Sequence, residues 1–200
     1  MDEQQPATSQ SREEGPIRVC LTSSHLDISS TISHVKSPKA GAVVLFAGTT
    51  RDSFESHPVS SLTYTSYAPL ALSTMLAIAK SVHAQHGLTA ICLVHRLGHV
   101  PVGEESILIA VSAPHRHGAW RAGEDALEQC KARLEVWKKE EFEDDAGGRE
   151  GVWRANRDGA RPVKAHGEEV GNGEMPVPHP SDTHAEAQKK RDDHLHIRRT

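Results

Sequence analysis

All eight aromatic side chains of this 200-residue chain fall between Phe46 and Trp153. That window bounds what the chain can fold into, because aromatics carry the largest apolar payload of any residue. Residues 156–200 hold none, and mix eight basic and eight acidic residues with five His and scattered Pro and Gly. Such a segment cannot bury enough apolar surface to offset the entropy of ordering its backbone. Residues 156–200 are therefore expected to form a disordered polar tail. The equally polar residues 1–15 are expected to be disordered too. One domain over residues 16–155 remains, about 140 residues, a common domain size.

Several functional classes drop out early. A net charge of −4 argues against a general nucleic-acid binder, which carries a basic excess. Cys20, Cys92 and Cys130 are odd in number and far apart, with no CxxC spacing, so neither a disulfide framework nor a zinc site is expected. No apolar run approaches ~18 residues and no apolar signal region opens the chain, so we expect no membrane contact and a cytosolic location. P-loop, GxGxxG and GxSxG motifs are absent. The acidic run Glu140–Asp145 lacks ligand-spaced partners and reads as solvated, so no metal or cofactor is expected.

Within the domain, Ile17–Leu21 alternates as a strand does, and Asp27 is placed to cap a short helix running to Val35. The run GAVVLFAG (41–48) predicts a buried strand, followed by a polar loop that carries Arg51. VSSLTYTSY (59–67) predicts a half-exposed strand. Pro69 then opens a helix that Gly87 closes, with Leu72, Leu76, Ala79 and Val82 on its apolar face. TAICLVHRL and ESILIAVSA, joined by GHVPVGE, predict a hairpin. A second long helix starts near His115, with Trp120, Leu127, Cys130 and Leu134 as its expected buried stripe. Strands over Val136–Phe142 and Gly151–Arg154 complete the order. Paired strands between helices point to an α+β fold with a mostly antiparallel sheet and two main helices.

Chemistry concentrates at two places. His115 and Arg116 stand at the start of the second long helix, where unpaired N–H groups and the dipole already favour anions, phosphate above all. Arg51 is a second candidate clamp. The other place is the lysine pair. At ~100° per residue Lys131 lies about 40° from Leu127, on the margin of the apolar stripe. Two readings stand for it: a buried stem with its head in water, or a partly desolvated amine usable as base or nucleophile. On a strand over 136–142, Lys138 shares a face with Val136 and Phe142, while Lys139 joins Trp137. His95-Arg96 at a strand end can bind an anion or simply end the strand. Arg116 and Lys131 lie fifteen residues apart on one helix, about 22 Å. A small substrate cannot touch both, so if both act in one site, two copies of the chain supply them.

The run GAVVLFAGTTRD, then LTYTSY, then VHRLGHVPVGEESILIAVSAPHR, then Lys131 seven residues before Lys138 in VWKKE, resembles the catalytic (large) subunit of eukaryotic-type molybdopterin synthases. The likeness runs from about residue 17 to 154. It implies a sulfurtransferase that converts cyclic pyranopterin monophosphate into the molybdopterin dithiolene. The sulfur donor implied is the C-terminal Gly-Gly thiocarboxylate of a small ubiquitin-like subunit. The implied assembly is a heterotetramer about a central dimer of large subunits, and the implied fold contains an α/β-hammerhead portion. By resemblance Lys131 and Lys138 are the catalytic pair, and Arg51, His115, Arg116, Lys139 and Glu140 bind substrate. A non-catalytic scaffold binding the same partner is the alternative, disfavoured by the retention of both lysines. After VWKKE the acidic, Gly-rich connection departs from the pattern.

Overall fold

The computed structural model describes residues 8–54, 57–143 and 149–155. Its first sheet is built around two apolar strands, β6 (Ala90–Arg96) and β8 (Glu105–Ala113), paired antiparallel as the hairpin reading expected. Both are buried along nearly their whole length because both faces are covered, which is why their sequences run apolar rather than alternating. Ile91, Leu93, Ile107, Ile109 and Val111 face one core, while Ala90, Cys92 and Ala110 face a smaller one with Val35. Strand β2 (Ile17–Thr22) adds to β6 in parallel, and β3 (Ala42–Thr49) adds to β8 antiparallel. With β1 (Ser9–Glu14) the sheet order is β1-β2-β6-β8-β3.

Helix α1 (Ile28–Val35) covers the small-core face, and its first turn is capped by Asp27, which accepts from the Ser30 amide. Helices α2 (Ala68–His86) and α3 (Arg116–Arg133) cover the other. Pro69 sits in the first turn of α2 and Gly87 ends it at φ 58°, where a side chain would be strained. Leu72, Leu76, Ala79 and Val82 are buried as their spacing predicts.

Beside the helices lies a second sheet, β10-β9-β5-β4, from β4 (Ser53–Phe54), β5 (His57–Ser66), β9 (Val136–Glu143) and β10 (Arg149–Ala155). The connection in the β6/β8 hairpin is itself a strand, β7 (Gly98–Pro101), which leaves the first sheet and pairs with β5. Gly98 and Gly103, at φ 81° and 85°, make the turns on either side. The salt bridge from buried Arg96 to Glu104, 2.6 Å, closes the base of this excursion. Arg96 is thus a strut, and the anion-binding reading of His95-Arg96 gives way to the strand-end reading.

Three expectations need correction. Residues 9–14 are not disordered: they form β1, every residue of it exposed. Its ladder to β2 satisfies the backbone without burial, and Arg12 reaches Ser73 (2.8 Å) while Glu14 reaches Lys80 (2.7 Å) on α2. Strand β3 is an edge strand rather than a buried one, with Val44 its one buried residue and Val43 40% exposed. Trp120 is 66% exposed and no part of the stripe of α3. That helix packs instead through Ala119, Ala122, Gly123, Ala126 and Cys130. Small residues let it lie close against the sheet, where a Cβ added at Gly123 would come to 3.5 Å from the Val44 side chain, ordinary contact. The tail expected over 156–200 lies outside the described residues.

Candidate active site

The pairing of β5 with β9 sets Tyr64 opposite Lys138 and Leu62 opposite Glu140. Alternation then sends Lys138 and Glu140 to the same face, toward α3, and Lys139 and Glu141 to the other. Lys131, in the last turn of α3, and Arg51, in the loop between β3 and β4, reach the same place. Together these residues line a cavity of about 240 Å³ between the second sheet, α3 and the end of β3. Phe46, Phe54, Tyr64 and Leu127 supply its apolar walls.

The solvated reading of the acidic run fails at its first residue: Glu140 is 2% exposed, and its Oε1 lies 3.0 Å from Lys138 Nζ. A buried carboxylate is costly unless paired, so the two groups hold each other in place. Lys138 Nζ also stands 5.8 Å from the centre of the Phe54 ring, within cation–π range. The cavity thus combines cationic side chains with aromatic walls, a combination suited to a flat, anionic ligand. Among the described residues no cluster of His, Cys, Asp or Glu could hold a metal ion.

The other expected site residues lie elsewhere. Lys139 is turned to the opposite face of the sheet, where it pairs with Glu141 at 3.5 Å. Burial alone would raise the Glu141 carboxyl, but the Ser61 hydroxyl and the Lys139 charge hold it below the usual range. His115 and Arg116 are exposed at the start of α3, away from the cavity lining. His115 is the N-cap and makes no side-chain cap bond. The helix that separates them from Lys131 rules out a single shared pocket within one copy.

Residues 21–133 match the profile of the MoaE protein. The chain belongs to the MoaE family. It is 59% identical over 170 residues to a protein of Neurospora crassa named molybdopterin synthase catalytic subunit, covering 85% of this chain and 81% of that one. A protein of the same name from Sclerotinia sclerotiorum is 62% identical over 130 residues, 65% of this chain and 66% of its own. Among solved structures, the molybdopterin synthase of Staphylococcus aureus superposes with a TM-score of 0.61 at 30% identity, covering 66% of this chain and 93% of that chain.

The cavity of this MoaE chain also contains residues that sequence reasoning missed. Tyr64, His95, Ser106 and Cys130 all line it. Tyr64 was placed on a strand, but only the β5–β9 register shows that it faces Lys138. His95 looked like a strand terminus because no local signal reports that its ring turns inward. Burial pushes the Cys130 thiol up to about 12, so it behaves as an apolar wall group.

Proposed function

We propose that this chain transfers sulfur to cyclic pyranopterin monophosphate as the catalytic subunit of a molybdopterin synthase. The sulfur comes from the C-terminal thiocarboxylate of a small ubiquitin-like subunit, which is left as a carboxylate after each transfer. The observation that carries this reading is the convergence of Arg51, Lys131 and Lys138 on one aromatic-walled cavity. Arg51 attracts the substrate phosphate and the incoming carboxyl-terminal tail. Lys131, entering from the helix end, moves the proton at the reacting carbon. Lys138, held by Glu140, presents a fixed cation to the oxyanion that develops during transfer. His115 and Arg116 complete the phosphate clamp of a second copy, because their own helix keeps them from Lys131. The working assembly is therefore a central dimer with a small subunit at each end. Lys139 supports the sheet and not the substrate.

Reconstitution tests this. The purified chain, a thiocarboxylated small subunit and the cyclic pterin are mixed, and molybdopterin is read as its fluorescent oxidised derivative. Product with wild type, and its loss with Lys131→Ala while the complex still assembles, is the expected result. Assembly without product from wild type would refute catalysis and leave a scaffold that binds the partner.

A further inference from the structure

Behind the lysines the cavity has a polar inner wall that the sulfur-transfer chemistry leaves unused. His95, near the end of β6, is 1% exposed. Its Nδ1 lies 2.8 Å from the Arg96 carbonyl oxygen. A carbonyl only accepts, so Nδ1 carries the proton and Nε2 is a bare acceptor. Nε2 is buried and has no hydrogen-bond partner among the described residues. The ring stands edge-on to Tyr64, centroids 5.1 Å apart. Neither neighbouring hydroxyl can serve it. Ser106 gives its proton to the Gly48 carbonyl at 3.2 Å, and Tyr64 meets His95 through a ring contact rather than a hydrogen bond. His95 Nε2 is left as an acceptor that no donor among the described residues reaches.

A buried acceptor without a donor is unfavourable, and an apolar ring of similar size would fill the space without that cost. Burial also drives the His95 pKa down to about 4, so the imidazole stays neutral in ordinary buffers. We propose that His95 Nε2 is a specificity-determining acceptor that receives an N–H of the pterin's pyrimidine edge. This rests on the reading of the cavity as the pterin site. The pterin edge carries N–H donors on the ring and on its exocyclic amine. A ring without them would leave Nε2 unpaired, and a buried polar group that loses its partner discriminates against such a ligand.

The test pairs a protein change with a ligand change, in the assembled complex with the small subunit. Wild type and His95→Phe are compared on the cyclic pterin phosphate and on two analogues, one methylated at the ring N–H and one lacking the exocyclic amine. His95→Phe is expected to raise KM about tenfold with kcat within about threefold. At least one analogue is expected to lose about tenfold against wild type and nothing further against His95→Phe. Both analogues being discriminated equally by wild type and variant would overturn the proposal. If His95→Phe does not fold, ¹⁵N-histidine spectra of wild type decide. The unprotonated Nε2 resonance moves on pterin binding if it accepts a hydrogen bond, and a stationary resonance in an enzyme that turns over overturns the proposal alone. A wild type that neither binds nor converts the pterin defeats the functional reading, and this inference with it.

Discussion

Lys138→Ala should do two separable things, and the structure sets the size of the second. Removing the ammonium abolishes product in the reconstituted assay. It also takes from Glu140, 2% exposed, the cation 3.0 Å away. Breaking a buried pair from one side costs about 3–5 kcal/mol. Lys138 is a quarter exposed and Glu140 keeps a further interaction, so the loss lies at or below the lower end, at most about 3 kcal/mol. For a domain of this size that lowers Tm by up to roughly 6–12 °C. Lys131→Ala abolishes activity equally and keeps a strong helix former in the last turn of α3. The double variant Lys138→Ala/Glu140→Gln removes the buried charge along with its cation and should regain part of the lost stability and none of the activity. Differential scanning fluorimetry and urea titration on the four proteins read this directly. If Lys138→Ala melts within a degree of wild type, Glu140 does not depend on Lys138, and the claim that the pair holds the cation in place fails.

Cys130→Ala should leave sulfur transfer within about threefold of wild type, because a thiol held near 12 is no relay for sulfur; alkylation-insensitive turnover checks the same point. Lys139→Ala should likewise retain turnover, while Arg51→Ala raises KM for the phosphorylated pterin about tenfold or more, each read in steady-state kinetics. His95 gives a pH signature. Its folded pKa of about 4 lies below the unfolded value of 6.5, so its contribution is fully present above pH 6.5 and is lost as pH falls toward 4. The loss amounts to about 3 kcal/mol across that window, and a urea titration series on His95→Phe should lack it.

Local signals read the helices well. Asp27, Pro69 and Gly87 act within one turn of themselves, so their consequences appear in the sequence next to their causes. The face of β9 was legible for the same reason, since alternation alone puts Lys138 and Lys139 on opposite sides. What was not legible depends on partners far along the chain. Strand β1 exists because β2 offers it a ladder, and its own residues carry no apolar pattern to announce it. The large apolar surface of Trp120 predicted burial, yet the close fit of α3 to the sheet selects its alanines and glycine instead. In the site, Lys131 and Lys138 were visible as an anomaly of pattern. Tyr64, His95 and Ser106 were not, because three strands must be aligned before they meet.

The all-polar β1 has a consequence for how the molecule behaves in a crowded solution. A sheet edge is a template for any other strand, and β2, buried at every residue but Arg18, would be a largely apolar one. By covering it with Ser, Gln, Arg and Glu, the chain ends that side of the sheet in a strand whose side chains reward no further pairing. Trimming the chain to Gly15, which a reading by hydrophobicity alone recommends, would expose the β2 edge and open it to pairing with strands of other molecules.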